Sequence, residues 1–367
     1  IEIFEDWNFD YVKIDFVFAG ALPGRRHDPR QAPIEAYREG LAIIRRAAGE
    51  RFVLGCGAPQ LASVGLVDGM RIGPDVAPWW RARGPRDAAG IPTEVPRINS
   101  APAAEAAIRN TLQRAWSHGT LWLNDPDCIL ARDTQTKLTA AEIESLATVI
   151  GLSAGMTLLS DNLPELSEQA LRTLSFILRP LPEPAAVRGV LDSDLPGRME
   201  FDAGQRLVVA LFNWHDEEQD LTLRVTEAEV VDVWAGTYLG STSGQLILPS
   251  VPPHGCRLLT LTPVDGRPHV LASSFHIGQG IHEIESEEYD PASNVLALRL
   301  RPVPLRSGSL WLRWPFETVE IDGPADAHTL DAGILRIDLT VDQPTELTLR
   351  PRSRSPRRGG RDSPLER

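Results

Sequence analysis

Two apolar runs lead into aspartates. YVKIDF (11–16) carries Asp15 near its end, and RIGPDVAPWW (71–80) carries Asp75 behind a Gly73–Pro74 break. Cleaving a glycosidic bond takes two carboxyl groups: one attacks the anomeric carbon or activates water to do so, and the other protonates the departing oxygen. Each needs a rigid support, because both are aimed at one carbon. Lys13 stands two residues before Asp15, on the same face of a strand, where its charge keeps a nucleophilic carboxylate ionised. A helix-capping aspartate after a strand gives the same local pattern. Arg71 precedes Asp75 by four residues, and Gly73 and Pro74 set an irregular turn in which a side chain can be re-aimed. Trp79 and Trp80 follow, placed either to wall a sugar or to fill a core.

Other segments carry less. NDPDC (124–128) reads first as a turn around Pro126, and it has too few oxygen ligands for a hard-cation site. GCGAP (55–59) begins like a dinucleotide loop, but Gln60 stands where the third glycine belongs. Its small residues instead let a ligand approach the backbone. His269, His276 and His282 lack zinc spacing, and neither a serine nucleophile elbow nor a P-loop is present. Neither a cofactor nor a metal is expected.

The elements that must hold these residues alternate. Strand candidates at 11–16, 51–56, 67–73, 120–125 and 156–160 are separated by helical patterns at 34–49, 103–119 and 140–155, and a further helix falls at 167–178. Short buried strands alternating with helices make parallel βα units, whose chemistry sits at the carboxyl ends of the strands. Polar residues recur at those ends: Asp15, Cys56, Asp75, Asp125 with Asp127, and Ser160 with Asp161. This favours a (β/α)8 barrel over a doubly wound sheet. Only five strands are legible, so about three βα units of a closed barrel would be missing.

From about residue 181 helical patterns give way to strands at 206–214, 220–225, 230–234, 244–249 and 256–263, spaced by turns as in a β-sandwich. After VDGRP (264–268) a further β-rich block has strands at 294–301, 309–315, 318–323, 334–341 and 345–350. The fold class is thus α/β plus β. A partial TIM barrel over 1–180, about strands four to eight, is followed by a sandwich over 181–264, a further β-rich domain over 265–350, and a disordered basic tail over 351–367.

A net charge of −13 disfavours nucleic-acid binding and does not attract anionic ligands, while a neutral sugar is compatible with it. No apolar run is long enough for a membrane span. Three cysteines, Cys56, Cys128 and Cys256, suit a reducing compartment, and a cytoplasmic location is expected. The chain begins almost directly in a strand, without an initiator methionine, as a cut inside a larger protein would.

Together these segments resemble the melibiase-type α-galactosidases, glycoside hydrolase clan D, families 27 and 36, over about residues 7–265. YVKIDF looks like the nucleophile strand. The resemblance makes Asp15 the nucleophile and Lys13 a hydrogen-bond donor to sugar hydroxyls. RIGPDVAPWW is similar to the sixth strand, with Asp75 as acid/base and Arg71 as a sugar-contacting arginine; Trp79 would border the site. LWLNDPDCIL is similar to the seventh-strand motif, with Asp127 lining the pocket beside Cys128. Cys56 falls where many members carry a cysteine on the fifth strand. Gly57 follows it where one branch has a bulkier residue, so an N-acetylated sugar also has room. ALFNWHDEEQDLTL and VPPHGCRLLTL resemble the carboxyl-terminal sandwich. The implied activity is retaining cleavage of a terminal α-galactoside through a covalent glycosyl–aspartate.

Two alternatives stay open: a related α-glycosidase such as an α-N-acetylgalactosaminidase, and a non-catalytic carbohydrate-binding fragment whose β-domains supply the function. As a lone polypeptide the chain is expected to be inactive and to associate into homo-oligomers through its open sheet edge.

Overall fold

The computed structural model describes residues 2–86, 92–94 and 101–352. The basic tail, from 353 onward, lies outside the described residues.

Alternating apolar strands and amphipathic helices build the first part of the chain. Strand β1 (Tyr11–Ile14) is followed by α1 (Pro33–Ala48), β2 (Phe52–Gly55), β3 (Gly69–Arg71), α2 (Ala104–Arg114) and β4 (Leu123–Asp125). Then come β5 (Cys128–Ile129), α3 (Ala140–Leu152), β6 (Leu158–Leu159) and α4 (Glu168–Ile177). Strands β1, β2, β3 and β4 form one four-stranded parallel sheet in chain order. The fifth expected strand, β6, pairs in parallel with β5 rather than with β4. The chain turns at Pro126–Asp127 between β4 and β5, and Asp127 has a φ of 79°. Among the described residues β1 pairs with β2 alone. In and beside β1, Trp7, Phe9, Tyr11, Phe16 and Phe18 are exposed.

Local sequence explains the helix ends. Pro33 opens α1 at a position where its missing N–H costs nothing, and Gly49, at φ 59°, closes it. Thr139 caps α3: its Oγ1 accepts the Glu142 N–H at 3.2 Å, and Glu142 Oε2 accepts the Thr139 N–H at 2.7 Å. Helix α3 is buried on nearly every side, because it lies between the barrel and the β-structure beyond it.

That β-structure starts with a six-stranded antiparallel sheet. Its strands are β7 (Ala186–Arg188), β8 (Arg198–Asp202), β9 (Leu207–Phe212), β10 (Gln219–Asp232), β11 (Thr237–Val251) and β12 (Cys256–Thr262), in the order β11-β10-β12-β9-β8-β7. One face, with Met199, Phe201, Val208, Ala210 and Leu258, packs on α3 and α4 through Leu146, Val149, Ile150 and Leu174. Burying such side chains contributes about 1.5–3 kcal/mol each. The other face, with Val209, Leu211 and Leu259, is covered by the long β10–β11 hairpin through Leu223, Val225 and Leu248. The sequence suggests separate strands at 220–225 and 230–234; they are two halves of β10. The polar stretch between them is a register shift from Val225 to Ala228, a bulge rather than a turn.

A second sandwich follows. One sheet has β13 (His269–Ser273), β16 (Ser307–Arg313), β19 (Ile334–Thr340) and β18 (Ala327–Asp331), in that order. The other has β14 (Ile284–Asp290), β15 (Val295–Leu300), β20 (Thr345–Arg350) and β17 (Glu320–Asp322). Between them lie Leu298, Leu310, Trp314, Ile337 and Leu347. Arg206 joins the two sandwiches. Its Nε donates to the Gln279 carbonyl at 2.8 Å, and its Nη1 reaches the Val270 carbonyl at 2.8 Å and Glu287 Oε2 at 3.1 Å.

Candidate active site

Strand β1 delivers Asp15 beside Cys56 of the neighbouring strand. Ile14 lies opposite Gly55 in the β1–β2 register, and the Cys56 N–H donates to the Ile14 carbonyl at 2.8 Å. Phe16 adopts a left-handed φ of 53°, which turns its N–H back onto Asp15 Oδ1 at 2.7 Å. Burial works to raise the Asp15 carboxyl. The Cys56 thiol, the Phe16 amide and the charges of Lys13 and Arg71 outweigh it and hold the group below its ordinary value. Burial, then the adjacent Asp15, pushes the Cys56 thiol up to about 11. The thiol therefore stays protonated at neutral pH.

Gly57 has a φ of 49°, and a Cβ built there would stand 3.2 Å from Asp15 Oδ1 and 3.2 Å from the Phe16 nitrogen. The sequence suggests that this glycine leaves space for a sugar substituent. A side chain at this position would crowd the Asp15 carboxylate and the Phe16 backbone.

Strand β3 supplies Arg71, which faces Asp125 of β4 in register. The guanidinium is shared among three carboxylates. Its Nε lies 3.0 Å from Asp125 Oδ2, its Nη2 2.8 Å from Asp127 Oδ1, and its Nη1 3.1 Å from Asp75 Oδ1. The side chains of Arg71, Asp125 and Asp127 are 5%, 0% and 7% exposed, whereas that of Asp75 is 73% exposed. Three of these groups are thus fixed, and one faces outward. Burial works to lower the Arg71 value, but the charges of Asp125 and Asp127 outweigh it and raise it. Asp127 Oδ2 also accepts the Val76 N–H at 2.6 Å, which ties the turn after β4 to the loop bearing Asp75. Burial, then the charge of Asp127, pushes the neighbouring Cys128 thiol up to about 11.

The Asp75 loop is packed from behind. A Cβ on Gly73 would stand 3.0 Å from Asn110 Cβ, so the glycine admits α2 against the end of β3. The Trp79 indole donates to the Pro102 carbonyl at 3.0 Å, fixing it near the start of α2. Trp80 is core: it stacks on His254 at 4.3 Å and on Trp214 at 6.0 Å, and Trp214 stacks on Phe212 at 4.6 Å. His254 bridges Glu142 Oε1 at 2.8 Å and Asp216 Oδ1 at 2.9 Å.

The structure therefore brings Lys13, Asp15, Cys56 and Gly57 together at the ends of β1 and β2. It brings Arg71, Asp75, Asp127 and Cys128 together at the ends of β3 and β4. The Arg71 charge is among the influences that lower the Asp15 value. Asp161, also a strand-end carboxylate, instead holds the loop after β5 through the N–H groups of Ala131 and Arg132 at 2.7 and 3.1 Å. Two residues went unassigned in the sequence. Tyr11 shares its face of β1 with Lys13 and Asp15, and its signal was the two-residue period. Asp125 is the buried partner of Arg71. Its signal was the first carboxylate of NDPD, hidden by the turn reading. Among the described residues no group of three or more histidine, cysteine, aspartate or glutamate side chains is arranged to hold a metal ion.

Residues 202–261 match the family model described as the alpha galactosidase C-terminal beta sandwich domain. The α-galactosidase I of Mortierella vinacea is similar with a TM-score of 0.51 and 16% identity, over 72% of this chain and 71% of that one. The α-galactosidase of Saccharomyces cerevisiae is similar with a TM-score of 0.51 and 15% identity, over 72% of this chain and 74% of that one. An α-galactosidase of Thermus thermophilus is 32% identical over 49% of this chain, with a TM-score of 0.40, and the match spans 36% of the Thermus chain. The partial barrel followed by a β-sandwich is the fold of these two fungal α-galactosidases, and residues 202–261 match the model of an α-galactosidase carboxyl-terminal β-sandwich.

Proposed function

We propose that this chain carries the catalytic carboxylates of a retaining glycoside hydrolase acting on terminal α-galactosides. The observation that carries the reading is the contrast between two strand-end aspartates. Asp15 is held in its ionised form by a thiol, an amide and two cations, as a nucleophile requires. Asp75 is exposed beside a fixed guanidinium.

In the first step Asp15 attacks the anomeric carbon, the carbon–oxygen bond to the leaving group breaks, and Asp75 gives its proton to the departing oxygen. In the second step Asp75 takes a proton from water. The water oxygen bonds to the anomeric carbon and the Asp15 ester bond breaks. Arg71, Asp127 and Lys13 supply donors and acceptors for sugar hydroxyls, and Cys56 keeps Asp15 aimed. The resemblance of the motifs to the melibiase group and the shared fold support galactose as the sugar.

The test is hydrolysis of p-nitrophenyl α-galactoside by the protein at its natural full length, set against the α-glucoside and the α-N-acetylgalactosaminide. Preference for the α-galactoside supports the reading. Preference for another of these sugars keeps the mechanism and changes the substrate. If none is cleaved, the hydrolase assignment falls.

A further inference from the structure

Arg71 has a donor on each of its three nitrogens, and each meets a different aspartate. Two of those partners belong to the proposed sugar site. The third, Asp125, is fully buried. Its two oxygens are both in use. Oδ2 accepts the Arg71 Nε–H at 3.0 Å, and Oδ1 accepts the Asp127 backbone N–H at 2.8 Å. The first bond restrains rotation of the planar guanidinium about its Cδ–Nε bond, so its two terminal nitrogens keep their aim at Asp75 and Asp127. The second holds Asp127 at a φ of 79°, a conformation few residues other than glycine adopt without local support.

We propose that Asp125 is a positioning residue: one buried carboxylate that sets the orientation of Arg71 and the backbone of Asp127 together. The proposal rests on the reading above, in which those two residues touch the sugar. Asparagine has the same shape, but it offers one acceptor and one donor where two acceptors are needed. Either the Arg71 Nε–H or the Asp127 N–H then faces another donor.

Two measurements test this. The first is hydrogen exchange at the Arg71 Nε–H, followed by nitrogen NMR and identified by its loss in Arg71→Lys. In the unaltered protein this proton is expected to exchange at least about tenfold more slowly than those of exposed arginines. Asp125→Ala, which leaves an acceptor for neither N–H, should remove that protection, while the buried Arg206 Nε–H is unchanged. The second is a double-mutant cycle on α-galactoside hydrolysis. Asp125→Asn is expected to lower kcat/KM about thirtyfold or more in the unaltered background, and less than about threefold when Arg71 is already alanine.

Fast exchange at the Arg71 Nε–H of the unaltered protein overturns the proposal, whether or not the variant folds. So do losses that multiply independently in the cycle, the signature of a merely structural aspartate. If the unaltered protein cleaves no galactoside, the hydrolase reading fails, and the exchange measurement still decides the Asp125 contact.

Discussion

Gly57 and Asp15 touch across neighbouring strands: a methyl group on the glycine would sit 3.2 Å from the carboxylate oxygen that accepts the Phe16 amide. The glycine is also in a left-handed conformation, at φ 49°. Gly57→Ala is therefore expected to destabilise the fold by about 1–2 kcal/mol from the backbone alone, and to displace Asp15. Urea unfolding reads the first effect. A fall in kcat larger than the rise in KM reads the second. Full activity in a Gly57→Ala protein would remove Gly57 from the list of residues that aim Asp15.

Asp75 and Asp15 should separate kinetically. Asp75→Ala is expected to lower kcat/KM by about 10²–10⁴-fold on a natural α-linked disaccharide, whose leaving group needs a proton. On a dinitrophenyl galactoside, whose leaving group needs none, the first step should be nearly unaffected. Asp15→Ala should lose both, and added azide should restore turnover with a galactosyl azide of inverted configuration as product. Retention of most activity in Asp15→Ala would end the nucleophile assignment.

The acid limb of the pH profile reports on the Cys56 thiol. Asp15 is lowered in the folded protein: burial opposes the shift, and the thiol, the Phe16 amide and two cations more than offset it. The activity that needs ionised Asp15 is thus kept down to a pH below the ordinary aspartate value of about 3.9. The sign for stability is the same. A depressed carboxyl stabilises the fold above its unfolded value, and that contribution is lost as pH falls through the folded value. Cys56→Ala removes one of the lowering contacts, so the acid limb should move up, while Cys56→Ser, which keeps a donor, should leave it low. An unmoved limb in Cys56→Ala would mean that the thiol does not hold the carboxylate.

Arg206 and Glu287 form an ion pair with side chains 6% and 7% exposed between the two sandwiches. Arg206→Met leaves Glu287 buried without its cation and is expected to cost about 3–5 kcal/mol. The double change of Arg206→Met with Glu287→Leu should recover part of that loss. Thermal unfolding measures both. A single variant as stable as the unaltered protein would show that the sandwiches hold together without this clasp.

The barrel elements were legible because each strand and helix carries its own period: all four helical patterns and all five strand patterns of the first 180 residues correspond to observed elements. Alternation puts Lys13 and Asp15 on one face of a strand, whereas their place in a site beside Cys56 was read from the resemblance of the motifs. Several features were hidden, and three of them have clear causes. The long β10 reads as two strands because a bulge and a turn share the same polar residues. Strand β8 (Arg198–Asp202) is short and carries charged residues on its less buried positions, so no apolar run announces it. Asp125 depends on a contact 54 residues away in sequence, with Arg71, and no local pattern encodes that distance.

The stack from Trp80 through His254 and Trp214 to Phe212 has a consequence for how lesions in this protein would be scored. Trp80 lies five residues beyond Asp75, and its ring rests on side chains supplied by the sandwich rather than by the barrel. A genetic screen for lost activity would therefore recover changes at Trp214 or His254 alongside changes at the aspartates. Such alleles would be sensitive to growth temperature, because they loosen the wall behind the carboxylate and leave its chemistry intact.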